Sequence, residues 1–288
     1  MGSHLSQVLH HLYINPLEKC NLGCRMCYTK KTDLILTVEQ ILSFIDRYQK
    51  AYELKIITFC GGEVFTLPYF PRLVNTLSSR GIFVQTITNG TIDHLAKLTH
   101  PNLNNLIVSL DGLEKYHDSN RGVGNFKKSL EFLKKAQSLG FHTELFSIIT
   151  SQNYKQIEAF EKFVKKELGP IQITYHPRKP LSYLVQHPLS NIEEEVSGFD
   201  YPTSGELVEI MKTRTVFPPK NLGCYQIALA SSGIVYGCCE GYRPIGKIGD
   251  PIEDLFKSLK KRIGGPCLGC SQPEFMCGIQ DIIKQIIK

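Results

Sequence analysis

The sequence predicts an α/β protein, an open or partial (βα)6 TIM-like barrel followed by a small cysteine-rich C-terminal module. Three observations predict it. Six short β-branched or apolar runs alternate with segments of helical period between residues 12 and 175, the pattern of parallel strands joined by right-handed crossovers. The stretches richest in chemistry fall at or just after the ends of those runs, where parallel sheets collect function. Beyond them the composition changes, first to prolines and then to a second set of cysteines.

Each element has its own signal. Residues 12–15 read as a short strand, closed by Pro16 and a cysteine loop. Thr37-Val-Glu-Gln40 is a capping box, and Ile41, Phe44, Ile45 and Tyr48 then recur at helical spacing. A β-branched strand over 55–59 runs into Cys60-Gly-Gly-Glu63. A helix over 68–79 is ended by Gly81, and a strand over 83–88 is closed by Asn89-Gly90. A short helix over 92–98 leads to a strand over 105–110, which ends in Ser109-Leu-Asp111-Gly112. An amphipathic helix over 124–139 stops at Gly140, and a strand over 143–150 follows. A helix over 154–168 stops at Gly169 before the sixth strand, 171–175.

Residues 177–220 hold six prolines counted from Pro177, an acidic run at Glu193-Glu-Glu195 and one helix near 204–211. They read as a linker or as an insert that covers a substrate. In the final segment, 221–288, residues 227–230 and 234–236 form a hairpin turning at Ser231-Ser232-Gly233. A helix over 251–262 follows, and 279–288 closes the chain with an isoleucine-faced helix.

A chain of 288 residues, 42% hydrophobic and 21% charged, can bury one large core, or one core and a small appendage. No segment reads as a membrane span or a secretory leader, so the expected compartment is the cytoplasm. Ten cysteines at tight spacings then argue for metal binding rather than a disulfide framework. The formal charge of +6 counts those cysteines as neutral. Thiolate-bound metal cancels part of it, so charge gives no case for nucleic-acid binding.

Cys20, Cys24 and Cys27 are spaced C-x3-C-x2-C, which turns three sulfurs of one loop toward one metal centre. Structural zinc is closed by four ligands and iron–sulfur clusters commonly use four cysteines, so three leave one position for a non-protein ligand. With this spacing the stretch resembles the signature of the radical S-adenosylmethionine (SAM) superfamily. Met26, where that family often has an aromatic residue, and the following Tyr28 are then expected against the cofactor. The resemblance implies a [4Fe-4S] cluster on the three cysteines, its fourth iron chelated by SAM. It implies reductive cleavage of SAM to methionine and a 5′-deoxyadenosyl radical that takes a hydrogen atom from the substrate.

The same resemblance covers Gly61-Gly62-Glu63, which in the family meets the SAM amino group, although Val64 stands where proline is usual. It covers Asn89, Ser109 and Asp111 at two strand ends, and His117-Asp-Ser-Asn-Arg121-Gly with Phe126 beyond. Arg121 is the expected partner of the SAM carboxylate, since a guanidinium matches a carboxylate geometrically. His117 is read as structural and Cys60 as a small buried residue. Cys224, Cys238 (as Gly233-x4-Cys238), Cys267 and Cys270 resemble the twitch extension of SPASM-type relatives, with Cys239 able to replace Cys238. Four such ligands imply one auxiliary [4Fe-4S] cluster; without the N-terminal loop the set suits zinc equally well.

The whole then implies an oxidoreductase-type radical SAM enzyme. Its partners would be a peptide or a small-molecule substrate (an amino sugar or nucleotide) and a flavodoxin- or ferredoxin-like electron donor. No side chain stands out as a substrate acid or base. The alternative from another class is a non-catalytic zinc protein that binds RNA.

Overall fold

Alternating β-branched and apolar residues make short, fully buried strands, because both faces of a parallel sheet are covered. The structure, a computed structural model, describes residues 10–185, 187, 190–213, 227–239, 241 and 244–261. Six strands pair in parallel and in sequence order: β1 (His11–Ile14), β2 (Ile56–Phe59), β3 (Phe83–Thr88), β4 (Asn104–Ser109), β5 (His142–Ile149) and β6 (Gln172–Pro177). Every residue of β1 and β2 is buried. The crossovers carry α1 (Val38–Ala51), α2 (Phe70–Ser78), α3 (Glu114–Arg121), α4 (Asn125–Ser138) and α5 (Ile157–Leu168).

The capping box predicted for α1 forms. The amide of Gln40 donates to the Thr37 hydroxyl at 3.2 Å, and the Thr37 amide donates back to Gln40 Oε1 at 2.8 Å. Ile41, Phe44, Ile45 and Tyr48 are its buried face. Two expectations change. The helix expected over 92–98 is only a 3-10 turn, Leu95–Lys97, started by Asp93, whose carboxylate accepts from the Leu95 amide at 3.1 Å. Pro101 opens a second short turn, Pro101–Leu103, so no room is left to propagate a helix. Conversely, α3 carries no apolar period and was not predicted as an element; only His117 and Asn120 among its residues are buried.

After β6 the chain forms α6 (Leu181–Leu184) and α7 (Ser204–Thr213). This segment folds back over the strand ends. The Asn191 amide donates to Tyr28 O at 3.0 Å, Arg25 donates to Ser197 O at 3.2 Å, and the Ser151 amide donates to Asp200 O at 3.1 Å.

The C-terminal segment joins the main sheet. The predicted hairpin is present as β7 (Ile227–Leu229) and β8 (Ile234–Tyr236), turning through Gly233 at φ +76°. β7 lies parallel to β1, and an unpredicted β9 (Pro244–Lys247) pairs antiparallel with β8. The nine-stranded order is β6-β5-β4-β3-β2-β1-β7-β8-β9. Pro244 and Gly246 hide β9 from propensity. Gly246 is needed there because a Cβ would meet Leu255 Cδ2 at 2.5 Å. α8 (Ile252–Lys260) then docks on α1: Phe256 meets Tyr52 at 4.5 Å and Tyr48 at 5.9 Å between ring centroids, and Arg47 donates to the carbonyls of Asp250, at 2.8 Å, and Ile248. The final helix expected over 279–288 lies outside the described residues.

Phe256 is fully buried in the core shared by the two parts of the chain. Phe256→Ala is expected to cost about 3–5 kcal/mol, read as a lower urea midpoint of the whole molecule. An unchanged midpoint would show that α8 does not belong to that core.

Candidate functional site

The cysteine loop leaves β1 and is held by the turn that leaves β2. The Gly62 amide donates to Leu17 O and the Glu63 amide to Lys19 O, both at 2.9 Å. This contact explains both glycines. A Cβ on Gly61, which sits at φ +118°, would lie 2.2 Å from Leu17 O, and one on Gly62 would lie 1.7 Å from Lys19 O. The close backbone approach that two glycines permit is thus made to the cysteine loop itself. The Glu63 side chain is fully buried and reaches the end of β3. It accepts from the Thr88 hydroxyl at 2.8 Å, the Asn89 amide at 2.8 Å and the Phe65 amide at 3.1 Å. Burial pushes its carboxyl above the ordinary value, against the pull of those donors. Asn89 returns to the cysteine loop, donating to Asn21 Oδ1 at 2.9 Å and to Cys20 Sγ at 3.7 Å.

A second tie comes from the end of β4. Asp111 is fully buried and takes the Arg121 guanidinium in a forked pair, Nε to Oδ2 at 2.6 Å and NH2 to Oδ1 at 3.0 Å. Asn120 donates to Asp111 Oδ2 at 2.8 Å and accepts from the Met26 amide at 3.1 Å, while its carbonyl accepts from the Arg25 amide at 3.0 Å. Burial raises the Asp111 carboxyl, but Arg121 and Asn120 outweigh it and leave the group below its usual range. Arg121 is held above its own, the Asp111 carboxylate overcoming burial. Arg121 therefore has two of its five donor hydrogens committed to Asp111. His117 is fully buried; burial holds its imidazole down at about 4, and Nδ1 accepts from the Asp111 amide at 3.3 Å. Asn120 and Asn153 were not singled out from sequence, and Thr88 only as the first residue of the Thr88-Asn89-Gly90 strand end. Asn153 donates to the carbonyls of Asp111 at 2.8 Å and Ile148 at 2.9 Å. The only sequence signal was the position of Asn120 inside the His117–Arg121 motif.

These ties surround a cavity of about 280 Å³ at the carboxyl ends of the strands. Met26, Tyr28, Gly61, Ser109 and Arg121 line it, as do Phe146 and His176 from β5 and β6. Gly62, Glu63, Asn89 and Asp111 stand behind this lining, each in the contacts given above. Cys60, expected as plain filler, lines the cavity together with Cys239, and both pack with Tyr13.

Cys20, Cys24 and Cys27 are half-buried free thiols. The Cys27 amide donates to Cys24 O at 3.1 Å, closing a turn that keeps the two together. Burial pushes the Cys24 thiol up to about 11; Arg121 opposes this, and the Cys27 and Cys20 charges add to it. The Leu22 amide and the Lys31 ammonium each donate to a sulfur of this loop at 3.4 Å. Three soft sulfur donors on one loop, with N–H donors to sulfur already in place, fit an iron–sulfur cluster. Among the described residues, no three His, Cys, Asp or Glu side chains converge on a site for a metal ion. Of the second cysteine set, Cys238 is described and buried, whereas Cys224, Cys267 and Cys270 lie outside the described residues.

Gly62→Ala is expected to force the β2 turn off the cysteine loop, costing about 1–3 kcal/mol, and to lower iron per chain after anaerobic reconstitution well below wild type. Full iron loading in a folded Gly62→Ala protein would remove the clamp from the account of the site.

Comparison with known proteins agrees with this geometry. The family model of the radical SAM superfamily matches residues 14–164, more than half of the chain. Two curated relatives are each 25% identical over 172 residues. One is a tungsten-containing aldehyde ferredoxin oxidoreductase cofactor-modifying protein of Pyrococcus furiosus, matched over 54% of this chain and 48% of its own length. The other is an S-adenosylmethionine-dependent nucleotide dehydratase of Lacinutrix mariniflava, matched over 53% and 35%. The match thus spans less than half of either relative. Among solved structures, native anSMEcpe with bound AdoMet and Cp18Cys peptide superposes with TM-score 0.71 at 18% identity, covering 93% of this chain and 88% of that one. Streptococcus suis SuiB bound to S-adenosylmethionine superposes with TM-score 0.64 at 14% identity, covering 97% and 74%. The cysteine loop, the clamp that holds it and the family match lead to one conclusion: the chain belongs to the radical SAM superfamily.

Proposed function

We propose that this radical SAM enzyme oxidises or cross-links a peptide substrate inside a partial (βα)6 barrel, with a twitch-type auxiliary cluster in its C-terminal module. The observation that carries the reading is the convergence of the cysteine loop, the Gly61-Gly62 turn and Arg121 on one cavity, under the segment that follows β6. Family membership favours this reading over a non-catalytic zinc protein. Cys20, Cys24 and Cys27 would hold a [4Fe-4S] cluster, which supplies one electron to split SAM into methionine and a 5′-deoxyadenosyl radical.

The rest of the work falls to this chain's side chains. The Arg121 donors that Asp111 leaves open suit the SAM carboxylate, and backbone at Gly61 and Gly62, pinned by the clamp, suits its amino group. Ser109, Met26 and Tyr28 line the space left for the nucleoside. Residues 190–199, tied to Tyr28 and Arg25, would exclude water, so that a radical meets only the substrate. Cys224, Cys238, Cys267 and Cys270 would close the auxiliary cluster; four thiolates leave no open iron, which suits accepting an electron rather than binding substrate. The exposed Arg25, Lys30 and Lys31 beside the cysteine loop suit an acidic flavodoxin- or ferredoxin-like donor. Among the described residues no helix is long and apolar enough to cross a membrane, in keeping with a cytoplasmic enzyme.

Peptide chemistry is supported by the structural neighbours, which were solved with a Cp18Cys peptide and with the precursor peptide SuiA. A second reading, a small molecule such as a nucleotide, is favoured by the nucleotide dehydratase among the curated relatives.

Reduced protein is expected to convert SAM to 5′-deoxyadenosine, and Cys24→Ala to abolish this. Deuterium passing from a labelled substrate into 5′-deoxyadenosine would name the abstraction site; 5′-deoxyadenosine production by Cys24→Ala would remove the cluster assignment. For the auxiliary site, Cys267→Ala is expected to lose about half of the iron, measured by metal analysis; unchanged iron would remove the second cluster.

A further inference from the structure

The wall of the cavity at the end of β6 is cationic in a way the SAM site does not use. His176, Arg178, Lys179 and His187 all line it. Arg178 has a 4% exposed side chain. Its NH1 donates to Phe199 O, yet among the described residues its Nε and NH2 have no hydrogen-bond partner, nor has His176 Nε2. The nearest carboxylate, Glu195, stands 3.8 Å away and is half exposed, where solvent screens it. The Lys179 ammonium lies 5.1 Å from the ring centroids of both Tyr28 and Tyr183, an aromatic cradle that keeps it at the cavity. His176 and His187 stay neutral around it: burial first, then the Lys179 charge, holds both imidazoles at about 4.

Among the described residues, the other charges of the lining are engaged elsewhere, and from outside it Glu195 and Asp200 face Arg178. Arg121 is neutralised by Asp111. Glu18, the one carboxylate of the lining among the described residues, is raised above its ordinary value by burial and accepts from the Ser231 hydroxyl at 3.3 Å. At this buried wall, two cations set a positive potential over several ångströms. Unsatisfied buried guanidinium donors add to the drive for an acceptor to enter.

We propose that the substrate carries an anionic oxygen group, a phosphate ester or a carboxylate, that seats against Arg178 and Lys179 at the end of β6. This rests on the radical SAM reading above and narrows it: a nucleotide or an acidic peptide fits, an uncharged amino sugar does not. The anion enters beside Tyr28, satisfies the open Arg178 donors and leaves the SAM carboxylate to Arg121.

The test uses the full chain, reconstituted anaerobically and loaded with SAM. Calorimetric titration with inorganic pyrophosphate and, separately, glutarate reads the anion site, and SAM affinity is measured in the same preparations. Binding of either probe, weakened on the order of tenfold or more in both Arg178→Gln and Lys179→Gln, with SAM affinity moved far less, supports the proposal; the tighter probe tells phosphate from carboxylate. Loss of SAM affinity as large as the loss of anion affinity would assign these cations to SAM and overturn it. No probe binding by wild type, or equal binding by the variants, overturns it as well. Wild-type 5′-deoxyadenosine formation is the separate control: its absence would sink the radical SAM reading, whereas its presence without anion binding would sink only this proposal.

Discussion

The carbonyls of Leu17 and Lys19 accept the amides of Gly62 and Glu63, so the loop after β1 is held by the turn after β2. No side chain beyond hydrogen can stand between them, since the missing Cβ atoms would fall at 2.2 and 1.7 Å from those carbonyls. The same turn sends the Glu63 carboxylate to the end of β3, and Asn89 sends an amide back to Asn21 and Cys20. Three consecutive strand ends are thereby tied to the loop that carries Cys20. A loop with three thiols and no such support would sample many arrangements, and ordering it on metal binding would cost conformational entropy at that moment.

The Asp111–Arg121 pair does for the far side what the clamp does for the near side. A buried ion pair is weak evidence of stability, because desolvation offsets its attraction. Here its worth is positional. Asn120 reaches from the same helix to Asp111 and to the Met26 amide, so the cysteine loop is bound at both ends to parts that also face the cavity. The charge of Arg121 lies near enough to oppose the burial of Cys24.

The C-terminal hairpin continues the main sheet instead of forming a separate one. β7 pairs with β1, and α8 closes over α1 through Phe256, Tyr48 and Tyr52. This places Cys239 beside Cys60 and Tyr13 at the cavity and leaves Cys238 buried next to it. The segment after β6 closes the opposite side, tied to Tyr28 and Arg25 of the cysteine loop.

Periodicity and turn chemistry alone were enough for the α/β class, the six parallel strands, the α1 capping box and the hairpin at Gly233, because each is written in neighbouring residues. The cysteine spacing, taken in order with the Gly-Gly-Glu turn, the strand-end motifs and the trailing cysteines, carried the family resemblance. Local signals failed where a segment is polar or irregular by itself: α3 has no apolar stripe, β9 contains Pro244 and Gly246, and 92–98 is too short to propagate a helix. The tertiary structure decided what each motif touches. The resemblance implied Gly61-Gly62-Glu63 as a ligand turn; the fold adds that its amides hold the cysteine loop and its carboxylate holds the end of β3. Sequence offered Arg121 as the partner of a carboxylate, and the fold gives two of its donors to the buried Asp111. Contacts between strand ends far apart in the chain leave no periodic trace, because they depend on which backbone groups the sheet brings within 3 Å, and that is a property of the assembled sheet alone.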